Sequence, residues 1–327
     1  VMGDIAQRSL NTSFLGRSYK IPFGIAPMGM CNLAWPHADK YLAQVARQAD
    51  MPVCLSTAGS STVEDMHDWA GDNAWFQLYV TQSTEQAFEL VERVRNAGYD
   101  TLILTVDVPE VSRRVRDLRN GFVAPFHIGP KQALDFATHP QWTLSTMLAG
   151  APSPKNFETA GKQTKFDRNA SRAGANWVFL DKLRKSWEGR LIIKGITEPS
   201  DALRIKEAGA DAVYVSNHGG RQLDSAPAAI DVLPGIRSAV GQDFPLIFDS
   251  GVRNGEDIVK ALARGADFVM LGRPFMFALG AEAKTGVRSL VRILADEISV
   301  TMAQIGVNNI RSITEGVLAE PCGEKPS

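Results

Sequence analysis

Cysteine is nearly absent from this chain. Its three copies, Cys31, Cys54 and Cys322, lie far apart and form no C-x-x-C pair. A disulfide framework and a cysteine-held zinc site are therefore excluded, and a reducing, cytoplasmic environment is expected. No apolar run reaches the roughly 18 residues that span a bilayer, and no basic segment followed by a hydrophobic one opens the sequence. Charge of one sign is not in excess either, with 35 Lys+Arg against 36 Asp+Glu. A protein that tracks phosphate backbones carries a clear basic surplus, so nucleic acid is not an expected partner. No two of the 28 glycines stand two apart, which removes the G-x-G-x-x-G turn, and Walker A, H-E-x-x-H and G-x-S-x-G are missing too. The five histidines, His37, His67, His127, His139 and His218, show no ligand spacing, so no protein-bound metal is expected.

What remains is a 327-residue chain with 44% hydrophobic and 22% charged residues, the profile of a globular protein that handles small molecules. It begins at Val1 rather than Met, in a stretch that already reads as ordered, and a segment ahead of it is expected to be missing. Eight short runs rich in Val, Ile, Leu and Phe read as strands: 22–28, 52–57, 74–80, 101–108, 191–196, 212–219, 245–252 and 268–274. Helical patterns separate most of them. After the third run Ser83 and Gln86 suit a helix start, Ala87, Leu90, Val91 and Val94 share one face, and Gly98 supplies the stop. The junctions Asn96-Ala97-Gly98-Tyr99-Asp100, Glu207-Ala208-Gly209-Ala210-Asp211 and Ala263-Arg264-Gly265-Ala266-Asp267 repeat that ending before a strand. Strands apolar through their middles belong to a covered parallel sheet, and eight of them fit a closed (β/α)8 TIM barrel better than an open doubly wound sheet.

One interval breaks the rhythm. The fourth and fifth runs are about 80 residues apart, far more than one helix and its loops require. The span 109–190 is accordingly expected to hold an insertion within a single domain covering 1–327. Between 110 and 190 it carries 14 Lys+Arg against 7 Asp+Glu, with Phe122, Phe126, Phe136, Trp142, Met147 and Leu148 interleaved. That composition suits a lid over the barrel mouth, or a lid that also touches an anionic membrane from its inner face.

Sites in such barrels lie at the C-terminal ends of the strands. Polar residues gather there: Gln77 and Tyr79 end the third run, Thr105 and Asp107 the fourth, Lys194 the fifth, Ser216 and His218 the sixth, Asp249 the seventh and Arg273 the eighth. Pairs spaced i, i+2 face the same side of a strand. Taken singly, Ser56 or Thr105 would serve as well to satisfy backbone groups, and Lys194 as an ion-pair partner. Their convergence favours a site, because buried charges cost free energy unless they are paired or used. Asp249-Ser250-Gly251-Val252-Arg253 and Gly272-Arg273 combine small residues, a helix start and guanidinium groups, as a phosphate site after strands seven and eight would; ordinary turns with exposed arginines are the alternative.

The most specific segment is Ser216-Asn217-His218-Gly219-Gly220-Arg221-Gln222-Leu223-Asp224. With it the chain resembles the FMN-dependent 2-hydroxy-acid oxidising family, which includes glycolate oxidase, lactate oxidase, flavocytochrome b2 and mandelate dehydrogenase. The resemblance runs in order through Pro22-Phe23-Gly24-Ile25-Ala26-Pro27, Phe76-Gln77-Leu78-Tyr79, Thr105-Val106-Asp107, Ile193-Lys194-Gly195, Asp249 to Arg253 and Leu271-Gly272-Arg273. It implies FMN as cofactor and oxidation of an (S)-2-hydroxy acid to the 2-oxo acid, with a quinone or oxygen as acceptor and a homotetramer as the assembly. His218 would be the base, Asp107 would pair with the imidazolium, Tyr79 would donate to the substrate oxygen, and Arg221 with Arg114 would hold the substrate carboxylate. Lys194 would stand at the flavin edge where negative charge collects on reduction. Pro27, Met28, Gly29, Ser56, Gln77, Thr105 and Ser216 would line the flavin, Asp249 would hold ribityl hydroxyls, and Gly251, Arg253, Gly272 and Arg273 would grip the phosphate.

Three departures stand out. The family's N-terminal segment, with a tyrosine that helps hold the carboxylate, has no counterpart here. Pro27-Met28-Gly29 replaces the Pro-Thr-Ala of glycolate oxidase, and Ala58 stands where that enzyme has tryptophan. Both changes enlarge the space beside the flavin as in mandelate dehydrogenase, which the chain also resembles in Leu33-Ala34-Trp35-Pro36 and in His139-Pro140 with Trp142. A bulky or aromatic substrate is expected; a small lactate- or glycolate-type acid oxidised by oxygen is one alternative, and a phosphate-binding isomerase or aldolase using Lys194 another.

Overall fold

The computed structural model describes residues 4–80, 83–112, 117, 119–121, 128–157 and 172–319. It opens with a hairpin of β1 (Thr12–Phe14) and β2 (Arg17–Tyr19). The strands β3 (Phe23–Met28), β4 (Val53–Ser56), β5 (Ala74–Leu78), β6 (Thr101–Thr105), β7 (Arg190–Ile196), β8 (Ala212–Val215), β9 (Leu246–Phe248) and β10 (Phe268–Leu271) follow. All eight pair in parallel and β10 returns to β3, closing the expected (β/α)8 barrel. Around it lie α1 (Ala38–Ala49), α2 (Val63–Ala70), α3 (Thr84–Asn96), α4 (Pro130–Thr138), α5 (Pro140–Ala149), α6 (Trp177–Ser186), α7 (Pro199–Glu207), α8 (Ala229–Val240), α9 (Gly255–Ala263) and α10 (Arg273–Ile305), the last broken at Glu282 and Ala283.

Alternation along each strand sorts its side chains into two cores. Phe76, Leu78, Leu102, Leu104, Ile193, Val213, Leu246, Phe248 and Val269 face outward and meet the helices. Ala26, Cys54, Trp75, Ile103, Ile192, Tyr214, Ile247 and Met270 face inward and fill the barrel. The inward phase decides the site. Two residues beyond Cys54, Trp75, Ile103, Ile192, Tyr214 and Ile247 come Ser56, Gln77, Thr105, Lys194, Ser216 and Asp249, so one parity carries the interior packing below and the polar groups above.

The β1–β2 hairpin stops the opposite end. Phe14 stacks on Phe268 with ring centroids 5.2 Å apart, and Tyr19 packs against the same ring at 5.4 Å. Burial pushes the Tyr19 hydroxyl up to about 12. This hairpin leaves no mark in the sequence, because its three-residue strands are too short and too polar to show a period.

Each repeated junction ends a helix at a glycine with positive φ, Gly98 at 93°, Gly209 at 82° and Gly265 at 106°. The aspartate that follows acts as a clasp. Asp211 accepts from the Leu191 N–H at 2.8 Å and pairs with Arg184 at 2.7 Å. Asp267 does the same with Leu246 at 2.8 Å and the buried Arg237 at 2.6 Å, while Asp100 pairs with Arg190. In α3, Ser83 accepts from the Gln86 N–H at 3.1 Å and Ala87, Val91 and Val94 are buried, as the pattern requires.

Strand ends are shorter than the apolar runs suggested. Tyr79, Asp107, Ser216 and Asp249 lie just past their strands, His218 in a 3-10 turn with φ 57°, and Arg273 opens α10 rather than ending β10. The chain leaves the ladder there because the site needs backbone that a flat strand does not supply.

Candidate active site

The ring of polar groups is built by register. Ser56 lies opposite Gln77 across β4 and β5, and Thr105 opposite Lys194 across β6 and β7. The Ser56 hydroxyl donates to Gln77 Oε1 at 2.7 Å. Lys194 is buried, donates to Ser216 Oγ at 2.8 Å and stands 3.6 Å from an Asp249 carboxylate oxygen. Just past Lys194 the register shifts, and Gly195 takes a φ of 103°. A Cβ on Gly195 would lie 2.5 Å from Asp107 Cβ, so glycine is what lets Asp107 enter the site.

Asp107 holds the histidine. His218 Nδ1 lies 3.0 and 3.2 Å from the two Asp107 oxygens, and Nε2 lies 3.4 Å from the Tyr79 hydroxyl. The carboxylate fixes the tautomer with the proton on Nδ1, leaving Nε2 as the basic nitrogen. Burial works against the Asp107 charge, yet Lys194 and His218 outweigh it and hold the carboxyl below its ordinary value. Burial likewise opposes the Lys194 charge, and Asp249 with Asp107 more than compensates, holding the ammonium above the usual lysine value. Such a lysine keeps its proton, which disfavours the Schiff-base chemistry of an aldolase. One lysine and two aspartates give the cluster a net charge of −1 while the imidazole is neutral, and a proton on His218 brings it to zero.

Ser250 was not singled out by pattern, yet it organises the histidine loop. It adopts φ 85°, donates to Asp249 Oδ1 at 2.8 Å, and accepts from the N–H groups of Asn217 at 3.2 Å and Gly219 at 3.1 Å. The strained backbone of a non-glycine residue is held here by three hydrogen bonds. The only signal for it in the sequence was its place between Asp249 and Gly251.

In the ring of polar groups, Gln77 Nε2 and the Thr105 hydroxyl are buried and have no hydrogen-bond partner among the described residues. Each costs about 1–3 kcal/mol if left so. Both belong to the polar rung beside Lys194, where a flat heterocycle with carbonyl and ring-nitrogen acceptors would satisfy them. At the far side Gly251 has φ 88° and open space beside it, Gly272 caps α10, and Arg273 in the first turn passes close to Gly219. That helix start and arginine suit a phosphate. Arg253 is exposed, its backbone N–H donating to Asp257 at 2.8 Å. These groups fit FMN, ring at the rung and phosphate at α10.

The sequence model of the FMN-dependent dehydrogenase family matches residues 1–320. The chain belongs to that family. It is 39% identical to (S)-mandelate dehydrogenase of Pseudomonas putida over 321 residues, 96% of this chain and 81% of the relative. With L-lactate dehydrogenase of Pseudomonas syringae pv. syringae (strain B728a) it shares 35% identity over 328 residues, 98% and 86% of the two chains. A solved structure described as monotopic membrane protein (S)-mandelate dehydrogenase superposes with a TM-score of 0.92 at 38% identity, over 98% of this chain and 86% of that one. As an FMN-dependent dehydrogenase the chain is an oxidoreductase with FMN as its cofactor, in agreement with the sequence resemblance.

The remaining expected residues divide. Arg221 is exposed and pairs with Asp117 at 3.1 Å. Arg114 lies outside the described residues, as do Phe122 and Phe126. Pro27 and Met28 are half-buried and Gly29 is exposed; a Cβ on Gly29 would meet Ala58 Cβ at 3.2 Å, so the two small residues form one continuous wall. That wall is pinned by the buried Asp39, whose carboxylate accepts from the Ser60 N–H at 3.0 Å, while Asn32 accepts from the Asp39 N–H at 3.2 Å.

Proposed function

We propose that this enzyme oxidises an (S)-2-hydroxy acid, with a bulky or aromatic group at C2, to the 2-oxo acid. The observation that carries the reading is the His218 imidazole, held at Nδ1 by Asp107 with Nε2 beside the Tyr79 hydroxyl. His218 Nε2 takes a proton from the substrate, Asp107 stabilises the imidazolium, and Tyr79 donates to a substrate oxygen. FMN, when bound, accepts the two electrons. Ser56, Gln77 and Thr105 hold its polar edge, and Lys194 supplies the fixed positive charge that favours its reduction. Arg221 takes the substrate carboxylate, exchanging Asp117 for it. The wall of Gly29 and Ala58 leaves room for a large group, and two relatives named for mandelate and lactate bracket the range of sizes.

The test is anaerobic bleaching of the FMN-loaded enzyme with lactate, 2-hydroxyoctanoate and mandelate. Bleaching by mandelate and its loss in His218→Ala are expected; an unbleached flavin with all three overturns the reading. Peroxide yield compared with quinone reduction then assigns the acceptor, for which a quinone is proposed.

The span between β6 and β7 is proposed to serve as a lid that rests on a membrane surface. Ile128, Leu134, Leu144, Met147 and Leu148 are 62 to 91% exposed on and beside α4 and α5, a concentration unusual for a water-facing surface. Among the described residues no helix is long and apolar enough to cross a bilayer, so contact would be in the plane of the interface. Co-sedimentation with anionic vesicles, lost when Met147 and Leu148 become glutamate, is expected; equal binding by that variant overturns the assignment.

A further inference from the structure

Arg172 carries no motif, and nothing in its local sequence marks it. The structure places it against the active site twice over. Its backbone N–H donates to the Pro109 carbonyl at 2.9 Å, two residues beyond Asp107. Its guanidinium lies over the Tyr79 ring, Cζ 4.8 Å from the centroid. The Nε of that guanidinium is buried and has no hydrogen-bond partner among the described residues. A cation seated on an aromatic face gains from the ring's quadrupole.

We propose that Arg172 is a positioning residue for Tyr79. The inference rests on the 2-hydroxy-acid reading above. The stacked guanidinium fixes the plane of the phenol, so that its hydroxyl stays beside His218 Nε2. Its positive charge on the ring face draws electron density from the oxygen, making that hydroxyl a better donor to the substrate oxygen. Because Arg172 hangs from the segment that also carries Asp107, one stretch of backbone sets both flanks of the imidazole: Asp107 at Nδ1, and Tyr79 through Arg172 at Nε2. Arg172 acts through the tyrosine and is not itself expected to touch substrate.

The experiment is stopped-flow flavin reduction in the FMN-loaded enzyme, with whichever acid of the panel bleaches it fastest, for Arg172→Leu, Arg172→Lys, Tyr79→Phe and the two Arg172 changes combined with Tyr79→Phe. Arg172→Leu is expected to slow the reduction step about tenfold, between the worth of an exposed and of a fully desolvated cation–ring contact, with the substrate dissociation constant changed less than twofold. Arg172→Lys keeps the charge and recovers part of the rate. In the Tyr79→Phe background, Arg172→Leu changes the rate by less than twofold, because the hydroxyl it acts through is gone.

Persistence of the full effect in that background overturns the proposal, as does a weakened dissociation constant with an unchanged rate, which would make Arg172 a direct substrate ligand. Should Arg172→Leu not fold, the Lys variant and its Tyr79→Phe combination decide the matter alone: a lysine rate equal to wild type in both backgrounds refutes the need for a planar stacked group. His218→Ala separates the two layers. If it abolishes reduction while the Arg172 series is flat, this inference fails and the proposed function stands; if it reduces normally, the proposed function fails.

Discussion

A single carboxylate orients the imidazole that is proposed as the base. Asp107 meets His218 Nδ1 with both oxygens and is itself held in the charged form by Lys194 and His218. Asp107→Asn removes the charge that stabilises the imidazolium, and flavin reduction is expected to slow by about 10²–10⁴-fold, measured anaerobically in single turnover. Lys194 gives a pH-dependent counterpart. Burial opposes its charge but Asp249 and Asp107 raise its folded value, so its contribution to stability is complete below the unfolded lysine value of about 10.4. That contribution is lost as pH rises through the higher folded value. Thermal unfolding followed from pH 8 to 11.5 should show the gap between wild type and Lys194→Met narrowing toward the alkaline end; a constant gap would contradict the assignment.

At the scale of elements, much of the site was legible because strand alternation is strict. Once Trp75, Ile103, Ile192 and Ile247 face the barrel interior, Gln77, Thr105, Lys194 and Asp249 must follow them two residues later. What the pattern missed lies where the backbone leaves that alternation. Ser250 works through a positive φ, Arg172 through a ring in a distant loop, and Asp117 through a partner more than a hundred residues away. None of these leaves a period in the sequence. The loops after β3 and β4 meet at Gly29 and Ala58, so a large side chain there should close the space for the substrate's substituent. Ala58→Trp is expected to lower kcat/KM for mandelate relative to lactate by about tenfold or more, read from steady-state rates with a dye acceptor.

Across the whole molecule, packing and chemistry occupy opposite ends of the barrel. Phe14, Tyr19 and Phe268 stack at one end, with Trp75 6.5 Å from Phe14, and the charged cluster faces the other. Phe14→Ala removes a buried ring and should cost about 3–5 kcal/mol of stability, seen in denaturant unfolding, while leaving flavin reduction at 25 °C within twofold of wild type. The two strands that place Phe14 and Tyr19 were invisible to pattern for lack of length, whereas the eight barrel strands and the repeated glycine–aspartate junctions were plain.

Because the hairpin corks one end of the barrel, the doorway to the proposed site is expected at the other. An affinity handle, fusion partner or electrode tether attached on the corked side would leave that doorway clear, whereas the same attachment near α5 would stand in front of it.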